Sequence, residues 1–153
     1  MHHAALRVAD LERSRRFYEA AFGAQIKFES SMTSEMAEYL FGTARGTSAG
    51  ALGIFFDEGA IEVFAFDPGD PFEPVDQKAV GQMHFCLNVD DVAATVARVE
   101  AAGGRVLFPV MEWGDCHFVY LADPDGNVIE LVDIDHATWI RNGNGETPPV
   151  PED

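Results

Sequence analysis

The sequence predicts an α+β protein built from two tandem βαβββ modules, and three observations predict it. The pattern His-x-x-Leu-x-Val-x-Asp followed by an aliphatic residue occurs twice, as His3, Leu6, Val8, Asp10 and Leu11 and as His84, Leu87, Val89, Asp91 and Val92. Each copy leads into apolar residues at helical spacing. Each module then closes on a matched triplet, Ile61-Glu62-Val63 in one and Ile129-Glu130-Leu131 in the other. Repetition at both ends of a unit marks an internal duplication, which decides the fold before any single element is read.

In the first module, residues 3–8 alternate as a short strand and Asp10 is placed to cap a helix. Leu11, Phe17, Tyr18, Ala21 and Phe22 share one face of that helix, which Gly23 ends. Strands are expected at 25–28, 50–56 and 60–66. The 29–49 stretch between the first two of these holds a candidate short helix at 34–41 and is otherwise small and Gly-rich, as suits a mobile loop over a site. In the second module Asp90 or Asp91 caps a helix whose Val92, Val96 and Val99 share a face before Gly103-Gly104. Strands follow at 105–108, 116–122 and 128–134, the last entered through the turn Asp123-Pro124-Asp125-Gly126-Asn127. The modules thus span 1–66 and 83–134. Residues 67–82, with three of the eight prolines, form the linker, and 135–153 a largely mobile C-terminal extension.

A chain of 153 residues that is 47% hydrophobic can bury a sizeable core. A formal charge of −16 excludes a sequence-independent grip on nucleic acid or on an anionic membrane, both of which need clustered Lys and Arg. No apolar run reaches the roughly 18 residues of a membrane span, and the first residues lack a signal-peptide pattern, so a cytoplasmic location is expected. Cys86 and Cys116 are read as reduced thiols.

Side chains alternate across a strand, so His3 and Arg7 face away from Leu6 and Val8, and His84, Cys86 and Asn88 away from Leu87 and Val89. By the same rule Glu62, Phe64 and Phe66 oppose Ile61 and Val63, and Glu130 opposes Ile129 and Leu131. With the aliphatic faces under the helices, both histidines and both glutamates point the other way. Two half-sheets curving around a common cavity would gather all four. Two imidazoles and two carboxylates suit a borderline divalent ion such as zinc, nickel, cobalt, manganese or iron, with two positions of an octahedron left open. A lone His or Glu at a strand start is more often a solvated surface residue. Matched retention in two copies favours the metal, because stability alone gives no reason for it.

These residues carry a family resemblance. The segment from His3 through Phe17-Tyr18 resembles the opening strand and helix of the vicinal oxygen chelate superfamily, and Asp123-Pro-Asp-Gly-Asn-Val-Ile-Glu-Leu its closing strand. In motif the chain looks most like glyoxalase I, and the likeness runs nearly from His3 to Ile134. The resemblance implies the glyoxalase/bleomycin resistance/dihydroxybiphenyl dioxygenase-like fold, a cupped mixed sheet holding one metal, and assigns His3, Glu62, His84 and Glu130 as its ligands. It also implies a homodimer. Arg7 matches the family's carboxylate-binding arginine, but Phe66 stands where glyoxalase I has an asparagine. The segment Met111-Glu-Trp-Gly-Asp-Cys-His lacks an expected basic residue, so the glutathione site looks incomplete.

The expected activity is that of a lyase or isomerase acting on a small molecule with two adjacent oxygens. The metal polarises the substrate, and Glu62 and Glu130 move a proton beside its carbonyl. Arg7, Phe64, Phe66, Asn88 and Trp113 are expected to contact the substrate. An Fe(II) ring-cleaving dioxygenase and an antibiotic-binding resistance protein of the same fold are the alternatives. Four ligands leave less room for oxygen chemistry than two His and one carboxylate do, and a protein that only binds its drug needs no ligand set.

Overall fold

The computed structural model describes residues 2–70 and 81–143. The chain divides into two compact units, Met1–Val80 and Gly81–Asp153. Residues 71–80 of the expected linker and 144–153 of the expected mobile extension lie outside the described residues.

The first unit runs β1 (Ala4–Arg7), α1 (Leu11–Phe22), β2 (Gln25–Met32), α2 (Ser34–Phe41), β3 (Ser48–Phe56) and β4 (Gly59–Asp67). Asp10 keeps an extended backbone and accepts a hydrogen bond from Arg13 N at 2.9 Å, which satisfies one free donor of the first turn of α1. Gly23, at φ 65°, closes the helix in the left-handed conformation that a residue with a Cβ resists. The sheet order is β1-β4-β3-β2, with β1 and β4 parallel and the other pairs antiparallel. Helix α1 lies on β3 and β4 and buries Phe17, Tyr18 and Ala21.

The second unit repeats this plan: β5 (Phe85–Asn88), α3 (Val92–Ala101), β6 (Arg105–Val106), β7 (Met111–Trp113), β8 (Cys116–Ala122), β9 (Val128–Val132) and α4 (His136–Gly143). Its order is β5-β9-β8-β6, with β7 also on β8 and β5 parallel to β9. The repeat extends to single atoms. Asp91 caps α3 through Ala94 N at 2.9 Å, as Asp10 caps α1. The buried hydroxyls of Ser14 and Thr95 each donate to the carbonyl four residues earlier, at 3.0 and 2.8 Å. Val8 N donates to Phe64 O at 2.9 Å, and Val89 N to Val132 O at 2.8 Å.

Register holds both glutamates out of the core. Leu52, Ile54, Ile61 and Val63 in one unit, and Val119, Leu121, Ile129 and Leu131 in the other, are almost wholly buried. Each such side chain contributes about 2 kcal/mol by burial. A one-residue slip would expose these residues and bury Glu62 or Glu130, so the aliphatic face sets where the glutamates point.

Three elements differ from expectation. β2 continues to Met32, because the small residues Ala49, Gly50 and Ala51 let the polar stretch Glu29-Ser30-Ser31 pair as an edge strand. Its counterpart in the second unit is split into β6 and β7, which pair with opposite ends of β8. Pro109 lies between them and has no N–H to donate. Finally, α4 forms at the start of the C-terminal extension, capped by Asp135, whose carboxylate accepts from Thr138 N at 2.7 Å.

Candidate metal centre

In each unit the histidine precedes the first strand and the glutamate sits mid-way along the strand paired with it in parallel. Ala5 lies opposite Glu62 and Cys86 opposite Glu130, so the two copies share one register. His3 Nε2 lies 3.7 Å from a Glu62 oxygen, and His84 Nε2 lies 3.0 Å from a Glu130 oxygen. Two atoms each about 2.1 Å from one ion stand roughly 3.0 Å apart at right angles and about 3.4 Å apart in a tetrahedron. The His84–Glu130 pair matches the right-angle separation and the His3–Glu62 pair stands wider than the tetrahedral one, while the donor types in both are those a borderline divalent metal takes. Among the described residues no group of three or more His, Cys, Asp or Glu side chains is placed to hold an ion. Each unit holds one such His–Glu pair.

The two pairs have different surroundings. His2 Nδ1 lies 2.7 Å from His3 Nδ1, so one ring nitrogen donates to the other and the His3 ring is held with Nε2 toward Glu62. The His3 and Glu62 side chains are 42% and 26% exposed, against 25% and 19% for His84 and Glu130, so the second half is the more desolvated.

In the second unit Glu130 opens onto a cavity of about 130 Å³ lined by Trp113, Cys116, Phe118, Tyr120, Val132 and Trp139. Tyr120 is paired in register with Glu130, and its ring meets His84 edge-to-face with centroids 5.1 Å apart. Burial, the Glu130 charge and a hydrogen bond to that carboxylate push the Tyr120 hydroxyl up to about 12. Desolvation first, and the Glu130 carboxylate second, likewise push the Cys86 thiol up to about 12.

Of the expected substrate residues, Trp113 lines this cavity beside Glu130. Asn88 is exposed, opposite Val132, and is not among the cavity's lining residues. In the first unit Phe64 and Phe66 share the Glu62 face and hold Phe41 of α2 between them, at 5.2 and 5.6 Å. Arg7 is exposed on the same side of β1 as Ala5. Sequence reasoning missed the Tyr120 contact, although strand parity alone puts Cys116, Phe118 and Tyr120 on the Glu130 face. Trp139, which follows the last strand, lines the same cavity from α4. His117 turns the other way, bonded through Nδ1 to Asp133 at 2.7 Å.

Comparison with known proteins agrees with this architecture. The chain is 30% identical over 137 residues to a probable lactoylglutathione lyase of Vibrio parahaemolyticus, covering 85% of this chain and 87% of that one. It is 30% identical over 138 residues to a lactoylglutathione lyase of Haemophilus influenzae, covering 86% and 90%. A glyoxalase family protein from Bacillus cereus superposes with a TM-score of 0.74 at 19% identity over 87% of this chain and 92% of its own. The fosfomycin resistance protein FosX from Listeria monocytogenes, solved with Mn(II) and sulfate, does so at 0.59 and 16% identity, over 92% and 96%. These two share the fold. The model of the Glyoxalase/Bleomycin resistance protein/Dioxygenase superfamily matches residues 1–131, from the first strand through the strand that carries Glu130. With the duplicated βαβββ plan already seen in register and capping, that match makes the chain a member of this superfamily.

Proposed function

We propose that this protein is a divalent-metal-dependent enzyme of the glyoxalase I type, a lyase or isomerase for a small substrate with two adjacent oxygens. One observation carries the reading: the same His–Glu pair, in the same strand register, in both units. His3, Glu62, His84 and Glu130 would hold one zinc or nickel ion, with cobalt, manganese and iron as substitutes. Such an ion polarises neighbouring substrate oxygens and lowers the barrier to removing a proton from the adjoining carbon.

The chain's own residues do the rest. Glu62 and Glu130 supply the carboxylates that take a proton from one carbon and return it to the next. Trp113, together with Phe118 and Tyr120, gives the Glu130 side an aromatic wall that keeps water from the reacting carbon. Phe64 and Phe66 form an apolar surface beside Glu62. Arg7 would bind an anionic group of the substrate, and Asn88 a polar one. The curated relatives' name, lactoylglutathione lyase, supports a thiol adduct of a 2-oxoaldehyde as the substrate class. Phe66 and the acidic 111–117 segment argue against a full glutathione clamp. A homodimer belongs to this reading.

The test is metal analysis of untagged protein, followed by isomerisation assays on thiol adducts of 2-oxoaldehydes in deuterated solvent. Near-stoichiometric zinc, nickel or cobalt and metal-dependent turnover are expected. Protein that holds no divalent metal, or turnover that survives both His3→Ala and His84→Ala, would refute the assignment.

A further inference from the structure

We propose that the β7–β8 hairpin is a pH-sensitive lip of the Glu130 cavity: charged His117, on the opposite face of the hairpin, fastens β7, and neutral His117 releases it together with the tryptophans that line the cavity. The device needs no bound ion and stands apart from the metal reading.

The backbone alone holds this hairpin weakly. β7 has three residues, pairs only with β8, and turns into it through Gly114, at φ 62°, and Asp115. So short a ribbon depends on the side chains that meet across it. Parity gives its two faces different company. Trp113, paired with Cys116, faces the cavity, and both residues line it. Glu112 and His117, also directly paired, share the other face.

On that outer face His117 joins two parts of the chain. Asp133, just past β9, accepts from His117 N at 2.6 Å with one oxygen and meets the ring Nδ1 at 2.7 Å with the other. The ring Nε2 lies 3.9 Å from a Glu112 oxygen. The charged groups facing the ring are thus Glu112 of β7, Asp133 after β9 and, farther off, Asp91 at the cap of α3, all of them acids. Charged imidazole has a proton on each nitrogen and ties both sides. The neutral ring has one, and the 2.7 Å contact with Asp133 keeps it on Nδ1. Nε2 then turns a lone pair toward the Glu112 carboxylate, so losing the proton undoes the tie to β7 and spares the tie to Asp133. The surrounding acids, Asp133 first, raise the ring above its ordinary range. The fastening is therefore complete below about pH 6.5 and is lost as pH rises through the folded-state value.

The release reaches the cavity by two routes. Trp113 is itself part of β7. Its carbonyl also accepts from the Asn142 side chain of α4 at 2.9 Å, and Arg141 of α4 lies 3.9 Å from Asp115 in the hairpin turn. Helix α4 has no buried side chain, so these contacts rather than a core hold it, and its Trp139 lines the same cavity. Both tryptophans of the chain therefore sit on the moving parts.

Tryptophan fluorescence of the full-length protein, read against pH with a chelator present, tests this. The emission maximum is expected to move to the red as pH rises, with the midpoint that NMR gives for the His117 ring. Asp133→Asn should lower both midpoints together. His117→Asn, neutral throughout, should lose the transition and resemble wild type at high pH. Glu112→Gln, at an exposed position, removes only the tie to β7. Below the midpoint its amides at 111–116 should exchange with deuterium about two- to fivefold faster than those of wild type, the ratio one cross-strand charge pair supplies. A transition that persists in His117→Asn overturns the proposal. So does a fluorescence midpoint that stays in place while the NMR midpoint falls, or equal exchange in Glu112→Gln and wild type.

Discussion

Replacing Asp123 by alanine should destabilise the fold by about 3 kcal/mol and lower Tm by roughly 6–12 °C, taking about 2–4 °C per kcal/mol for a chain of this size. The magnitude follows from what the carboxylate holds. Asp123 is 2% exposed. One of its oxygens accepts from Asp125 N at 2.9 Å and Asn127 N at 2.8 Å, and the other accepts from the Asn127 side-chain amide at 2.8 Å. Alanine removes the acceptor of two backbone donors in a largely buried turn, at about 1–3 kcal/mol each. The Asn127 amide can rotate to solvent, so it adds little. Asparagine should fall between the two, since it keeps one acceptor oxygen but sets an amide N–H₂ against that of Asn127. The assay is thermal melting by circular dichroism at neutral pH with a chelator present, so that no bound metal masks the difference. An alanine variant melting within about 2 °C of wild type would show that water, rather than Asp123, satisfies this turn.

Three further outcomes follow from the same geometry. Thr95→Val, which keeps the shape of a buried side chain but removes its bonds to Asp91 O and the Arg98 guanidinium, should cost about 1–2 kcal/mol in urea unfolding. The His117 ring is raised above its ordinary range by its hydrogen bond to Asp133 and then by that residue's charge. The contact therefore contributes stability in full below about pH 6.5 and loses it as pH climbs through the folded-state value. An NMR titration of the ring should show a midpoint above that of a peptide histidine, and Asp133→Asn should bring it down. A zinc or nickel concentration about 100 times Kd should stabilise wild type by about 2.7 kcal/mol against thermal unfolding. His84→Ala should abolish that gain, and an undiminished shift in the variant would take His84 out of the ligand set.

Much of this was legible in the sequence because duplication states each feature twice. The helix ends at Asp10, Gly23 and Asp91, the closing strands and the outward parity of Glu62 and Glu130 all follow from local rules that hold wherever one face is buried. What escaped depends on neighbours distant in sequence. The extension of β2 to Met32 rests on small residues in β3, and the split of its counterpart turns on a single missing N–H at Pro109. Trp139 reaches the Glu130 cavity from a helix beyond the last strand. Asn88 matched the ligand face by parity but lies at the far end of its strand from His84, where the cavity does not extend.

The difference between the halves matters more for chemistry than their likeness. The repeat places a histidine and a glutamate at the same register position twice, and taken alone it would make Glu62 and Glu130 interchangeable. The strand facing each glutamate removes that equivalence, with Gly53 under the Phe28 ring on one side and the Tyr120 phenol on the other. Two residues outside the candidate ligand set, Gly53 and Tyr120, thus give two carboxylates of identical chemistry different surroundings.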